Sequence, residues 1–443
     1  MKTKSIINIV GLLFLQVVAC TGKDDSEPHL TQATIEDEPY FCGTAGEISE
    51  SEQGWIVEGM HYRLLAQSSA EEALVLSTIL EASWGAMTDW FGQRPELTSG
   101  DLLNVEYYAD YTSWQEAIIA DGLDSPSGGG LYHPSTETAY LFAQPTLYYS
   151  RQLMIHEAIH QFHHQARLGD HSLPGWYMEG HTEYLSHYDW DGGCVRLGRL
   201  PLLTQEDRPA AALAQIESLD LQAHFSASES ISRPLEWAIF RFFDKADDGT
   251  YAEQFTAFRD AMDGGSSDAI TEFSTAFGTD PSSFNDELQN WIRTEQQPMS
   301  PLYMEWQHEN EDTLVGWSDV FSIAPLKNAT NHFELYFDIP ESPSWFGGVV
   351  LSYEDSSNWV AVGAGSDGRI STFEVIDGSA MWSDQDAAPT MEDGGYHFIV
   401  AHGETESTIL VNNQALTLPL LFSPSGGAAL NSSRIRFTEL LWE

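Results

Sequence analysis

An α+β fold, with a mixed sheet and helices first and an antiparallel β-sandwich last, is what this 443-residue sequence predicts. Three observations carry the expectation. The chain is longer than one hydrophobic core usually organises, so it divides. Apolar residues recur at spacings of three and four through much of residues 70–295, the period of helices, with short alternating stretches set before and among them. Beyond residues 296–301 (QQPMSP), a linker by composition, the period changes to two, with Gly, Asn, Asp and Ser between short runs.

Composition bounds the function. The chain is 42% hydrophobic and 12% aromatic, so it builds sizeable cores and is not a disordered polymer. Its 19 Lys+Arg stand against 67 Asp+Glu, a net charge of −48 that repels phosphate backbones and excludes nucleic acid as a natural partner. The acids are spread along the chain, which points to a soluble surface rather than an acidic functional patch.

Taken in order, residues 1–20 (MKTKSIINIVGLLFLQVVAC) begin with Lys2 and Lys4 and continue with an apolar run too short to span a bilayer. The run ends in Val17-Val18-Ala19-Cys20, which resembles a bacterial lipobox. That resemblance implies cleavage before Cys20, lipidation of its thiol and an exported protein anchored to the cell envelope. Thr21 after the cysteine favours the outer membrane if the host is Gram-negative. An ordinary secretory signal with Cys20 incidental is the alternative. Residues 21–39 are acidic and poor in large apolar residues, a flexible tether. Of the remaining cysteines, Cys42 and Cys194 are expected to pair in an oxidising compartment, with two buried thiols as the alternative.

A first domain is expected over residues 40–296. Residues 55–65 read as one strand, 70–92 as a helix, 102–108 as a strand and 113–120 as a short helix. Two β-prone pieces, 131–133 and 138–142, flank a Pro-Ser turn. A helix follows from about 146–150 to 168, with Gly169 just past its end and Leu153, Ile159 and Phe162 toward the core. It carries His156-Glu157-Ala158-Ile159-His160, the HExxH pattern, in which two imidazoles four apart share one face. A second helix starts near Pro174-Gly175 and carries Trp176-Tyr177-Met178-Glu179-Gly180-His181-Thr182-Glu183-Tyr184. Eighteen residues separate His160 from Glu179.

HExxH, eighteen residues, then Glu within W-x-x-E-G-x-x-E-Y resembles the gluzincin zinc peptidases, and most of all bacterial peptidase MA-like domains. The resemblance covers roughly residues 55–261 and departs from the family at His181 and Thr182, where a small apolar pair is common. It implies a thermolysin-like fold in which one Zn²⁺ is held by His156, His160 and Glu179, with Glu157 as general base. Glu183 matches the acid that hydrogen-bonds a ligand histidine, as a ligating imidazole requires. An edge strand beside the metal helix would pair with extended substrate. The oxyanion-stabilising group is the open position. Arg233, just before the helix expected over 234–243, is the candidate, with His224 and Tyr251 weaker. His163, His164, His171, His181 and His187 are left out of the ligand set, since two histidines and a glutamate already complete a catalytic zinc site with one position free. Residues 201–232, rich in Ala, Gln and acids, read as a variable insertion, and helices are expected over 251–262, 266–277 and 281–295.

A second domain is expected over residues 302–443. Strand candidates at 333–337, 349–353, 359–363, 370–376, 396–402 and 408–411 argue for an antiparallel sandwich. The runs GVVLSYEDSSNWVAV, GYHFIVA and ILVNNQ resemble concanavalin A-like, laminin-G-type jelly rolls. Such domains bind glycans or surfaces, or act as spacers, and Trp345, Trp359 and Trp382 are all compatible with core positions. The expected function is therefore zinc-dependent hydrolysis of peptide or protein substrates at the cell envelope. The alternative is an envelope binding lipoprotein whose sandwich recognises glycan or protein while the metal domain is catalytically silent.

Overall fold

The structure is a computed structural model that describes residues 40–442, apart from 99, 125–127, 145–146, 168–172, 191, 201–207, 296–298, 300–305, 311–312, 319–320, 341, 343, 386, 391–393 and 432. Cys20 and its signal, the acidic tether, Gly169, His171 and most of the linker lie outside the described residues. No described helix is long and apolar enough to cross a membrane.

The amino-terminal part opens with two strands, β1 (Phe41–Cys42) and β2 (Glu47–Ser51), then β3 (Gly54–Glu58) and β4 (Tyr62–Ala66). Residues 55–65 are therefore a hairpin and not the single strand expected. Its turn carries few turn-forming residues and is held from a distance: the buried carboxylate of Glu81 accepts the His61 and Tyr62 N–H groups at 2.9 and 3.0 Å. Helix α1 (Ala70–Phe91) supplies that glutamate. Ser69 caps its start, and Gly92, at φ +63°, takes the left-handed turn that ends it.

Next come β5 (Leu103–Tyr108), α2 (Tyr111–Ala120), β6 (Gly130–His133) and β7 (Thr138–Phe142). The sheet runs in the order β2-β3-β4-β5-β7-β6, with β4, β5 and β7 parallel and the remaining pairs antiparallel. It is a mixed sheet with β6 at one edge.

Across that end lies α3 (Leu147–Ala166), followed by α4 (Gly175–Leu185). Gln161 fixes α3 to the sheet, donating to the carbonyls of Asn104 and Glu137 at 3.0 and 2.8 Å. Arg151 pairs with Glu72 of α1 at 2.9 Å. Ile155, Ile159 and Phe162 are fully buried against the sheet and α1. Leu153 also packs against that core but is only partly buried and lines a cavity as well. A three-stranded sheet, β1-β9-β8, is completed by β8 (Tyr188–Trp190) and β9 (Cys194–Leu197). Cys42 and Cys194 sit directly opposite each other in it and form the expected disulfide.

The helices that follow are α5 (Arg208–Leu213), α6 (Leu221–Phe225), α7 (Arg233–Gly249), α8 (Ala252–Asp263), α9 (Ala269–Phe277) and α10 (Asn285–Ile292). The stretch read as a variable insertion thus contributes ordered helices, with Ile216, Leu221 and Phe225 buried in the same core. Helix α7 packs tightly on α4. At Gly180 an added Cβ would collide with the Phe240 ring, which is why a glycine follows Glu179.

From Trp306 onward the chain is strands. Seven form one antiparallel sheet, in the order Trp306–Asn310, Thr313–Ser318, Ser433–Trp442, His332–Asp338, Gly395–His402, Glu406–Val411 and Gln414–Pro419. Six form another: Ser322–Pro325, Gly427–Asn431, Phe346–Asp355, Asn358–Gly365, Ile370–Ile376 and Ser379–Asp384. Leu335, Phe337, Phe398, Val400 and Phe437 from the first meet Val349, Leu351, Val360 and Val362 from the second in one buried core. Mixed sheet and helices followed by an antiparallel sandwich is the α+β arrangement expected. Trp345 belongs to the sandwich core, Trp359 to a separate aromatic cluster with Phe346 and Phe373, and Trp382 is 44% exposed.

Candidate metal centre

Helix α3 places His156 and His160 one turn apart, and α4 brings Glu179 across to face them. His156 Nε2 lies 3.5 Å from Glu179 Oε2, and His160 Nε2 lies 3.6 Å from Oε1. Two ligands bound at about 2.05 Å and tetrahedral angles to one zinc ion are roughly 3.4 Å apart, so these donors stand at the spacing one ion demands. Glu179 Oε2 is buried without a hydrogen bond, and the Arg233 guanidinium, 3.6 Å away, is the one protein cation described near it. Two imidazoles and a carboxylate at this spacing suit a zinc ion.

Electrostatics set the protonation of His160 and Glu179, though not of His156, for the same task. Burial drives the His160 imidazole down to about 3, so it stands neutral. Burial pushes against the charged form of His156 as well, but Glu179, Glu183 and Glu157 outweigh it and raise that group. Burial alone would raise Glu179, yet His160, His156 and Arg233 hold it well below the usual carboxylate range. A neutral imidazole and an ionised carboxylate are the metal-binding forms.

The residues expected around the donors lie close by. Glu183, buried one turn beyond Glu179, sets Oε1 3.9 Å from His156 Nδ1, beyond hydrogen-bond reach, on the side of the ring away from Glu179. Glu157 turns toward the edge strand, where the Tyr132 N–H donates to its Oε2 at 2.7 Å. Burial pushes the Glu157 carboxyl up to about 7, with His156 and that N–H pulling it back. Gly130 makes room for it, since a Cβ there would sit 2.6 Å from Glu157 Oε1. Arg233, the first residue of α7, reaches the centre: its guanidinium lies 3.6 Å from Glu179 Oε2 and 3.4 Å from Glu183 Oε1. His224 is buried away from the ligands beside Glu236, and Tyr251 donates to Glu287. Neither is brought to the centre.

Among the described residues, the histidines left out of the ligand set have other partners. His164 pairs with the Tyr132 hydroxyl and His187 with Gln152, both at 2.7 Å. His163 and His181 join Asp263 in a second histidine–carboxylate cluster. Asp263 there receives the Tyr177 hydroxyl at 2.9 Å and Arg167 as an ion pair, and lies 3.0 Å from His163 Nε2. The Trp90 indole N–H donates to His181 Nδ1 at 2.8 Å, which puts the ring's own proton on Nε2. With that nitrogen protonated and two arginines nearby, the cluster is a polar network and not a cation site. Sequence reading missed Arg208, whose guanidinium meets Glu183 Oε2 at 3.1 Å. Its acid- and alanine-rich surroundings gave no signal.

No family model and no curated protein matches this chain. Among solved structures it is similar to a carbohydrate-binding module, CBM66, from Bacillus subtilis, at 15% identity over 33% of this chain and 95% of that one, TM-score 0.28. It is also similar to galectin-Ib from Xenopus laevis, at 13% identity over 26% and 93%, TM-score 0.22. A third is CG-16, a homodimeric agglutinin from chicken liver, at 10% identity over 30% and 96%, TM-score 0.20. It is the carboxyl-terminal sandwich that these proteins resemble, each covered almost whole by a third of this chain or less.

Proposed function

We propose that the amino-terminal part is a zinc-dependent peptidase of the gluzincin type, exported and anchored to the cell envelope through Cys20. The observation that carries the reading is the convergence of His156 Nε2, His160 Nε2 and the Glu179 carboxylate at 3.5–3.6 Å. When bound there, zinc supplies Lewis acidity toward a carbonyl and lowers the pKa of a coordinated water. The protein's own groups do the rest. Glu183 orients His156 through its Nδ1 side. Glu157, held by the Tyr132 amide, takes the proton of the attacking water and returns it to the leaving amine. Its pKa near 7 suits both halves of that exchange. Arg233 is the cation placed to balance charge on the substrate oxygen. The edge strand β6, one hydrogen bond from Glu157, suits an extended substrate backbone that adds to the sheet.

The test is a mixed peptide library with wild-type protein and Glu157→Gln at equal zinc content. A loss of at least about a thousandfold is expected, because a general base and its proton return are removed together. Cleavage that survives the change unaltered refutes the reading.

A second reading assigns glycan recognition to the sandwich, and Trp382 favours it. That ring stands 44% exposed on the edge strand Ser379–Asp384, over an aromatic cluster of Phe321, Phe346 and Phe373. A half-exposed indole backed by rings is the kind of platform on which sugars stack. Binding to immobilised polysaccharides that is lost in Trp382→Ala supports this reading, and binding that persists refutes it.

A further inference from the structure

A cavity of about 370 Å³ adjoins the metal centre and shares His156 with it. It lies where α3, the end of α4 and the starts of α5 and α7 meet. The charges in its wall answer one another. Arg208 meets Glu183 at 3.1 Å, as one of its partners. Arg233 stands 3.4 Å from Glu183 and 3.6 Å from Glu179, with the charges of Glu157 and Glu236 acting on it as well. A charged side chain of either sign would break a pairing already made. The cavity therefore suits a neutral guest.

Its wall is nonetheless not apolar. Ser186, at the C-terminal end of α4, lines it; the residue is 1% exposed and its hydroxyl has no hydrogen-bond partner among the described residues. A buried hydroxyl without a partner destabilises the fold, and such a group persists where a guest answers it. Gln152 of α3 lines the same cavity. It commits its amide nitrogen to His187 Nδ1 at 2.7 Å, and nothing among the described residues donates to its oxygen. Leu153 and Pro234 add apolar wall for a methylene stem, and the volume admits one side chain. A carboxamide matches all three features: its oxygen accepts from Ser186, its amino group donates to Gln152, and its stem is apolar.

We propose that this cavity is a subsite for a neutral carboxamide side chain beside the scissile bond, with Ser186 as the residue that selects it. The inference rests on the peptidase reading of the adjoining centre. Selection works by exclusion as much as by attraction. An apolar side chain of the same length leaves the Ser186 hydroxyl and the Gln152 oxygen unanswered, and a carboxylate of the same shape competes with Glu183 for its guanidiniums.

The test is calorimetric binding to the full-length, zinc-loaded Glu157→Gln protein. Three peptides serve: acetyl-Ala-Ala-Gln-Ala-amide and its norleucine and glutamate counterparts. The glutamine peptide is expected to bind about tenfold or more tighter than either counterpart. Ser186→Ala is expected to erase most of the advantage over norleucine while leaving the norleucine peptide's affinity and the zinc content unchanged. It is also expected not to lower Tm, because it removes a hydroxyl that nothing in the fold holds. Equal binding of the glutamine and norleucine peptides, a tighter glutamate peptide, no measurable binding of any of the three, or an advantage that survives Ser186→Ala overturns the proposal. If Ser186→Ala fails to fold, the ranking in the parent protein decides alone. Binding needs no turnover, so a protein that ranks these peptides yet, with Glu157 restored, cleaves none leaves the subsite standing and sinks the peptidase reading; cleavage without ranking does the reverse.

Discussion

His156, His160 and Glu179 form one cluster of two histidines and a carboxylate; His163, His181 and Asp263 form another, its histidines further along the same two helices and its carboxylate from the end of α8. Residue type does not separate them, and burial does so only in degree, since His160 and Glu179 keep a fifth of their side chains exposed while Asp263 and His181 are sealed. What separates them is where the hydrogen-bond donors go. In the first cluster the imidazole nitrogens and Glu179 Oε2 face one another, and that oxygen accepts no hydrogen bond, with Arg233 only as near as 3.6 Å. In the second, Asp263 receives Tyr177 and Arg167, and Trp90 occupies His181 Nδ1. A metal centre is a set of acceptors left deliberately unsatisfied, while a structural network is one in which each acceptor has been answered.

Three changes sharpen that contrast. Asp263→Ala has the largest expected effect on stability. It leaves Arg167 buried without its carboxylate, at a cost of about 3–5 kcal/mol, read from urea denaturation, while the zinc content stays at one ion per chain. Glu183→Gln acts on the other cluster. It removes the charge behind His156 Nδ1 and is expected to weaken zinc affinity by about 10–100-fold, measured by competition with a chelator. Trp90→Phe is the smallest. Losing one buried donor to His181 costs about 1 kcal/mol, and the second cluster is expected to remain metal-free. A second zinc ion in that variant would show that the indole alone keeps metal out.

The two clusters also show how far sequence reaches. The first was legible because its members obey short-range rules: His156 and His160 are one turn apart, and Glu179 and Glu183 are one turn apart on the next helix. The second was not, because Asp263 lies a hundred residues from His163 and nothing local announces the pairing. Arg208 escaped for the same reason, and so did the β3–β4 hairpin, whose turn is held by Glu81 from α1. In the sandwich, strands with clear alternation, such as His332–Asp338 and Ile370–Ile376, were legible. Ser379–Asp384, largely exposed on both faces at a sheet edge, offered no alternation to find. Leu153 packs against the core as its spacing predicts, and the cavity it also lines is what apolar spacing cannot reveal.

Metal analysis of the full-length protein and two variants tests the account most directly. One zinc ion per chain is expected in the parent protein and in His181→Ala, and none in Glu179→Ala with its fold retained by circular dichroism. Zinc retained by Glu179→Ala, or lost from His181→Ala, would contradict the assignment of the metal to the first cluster.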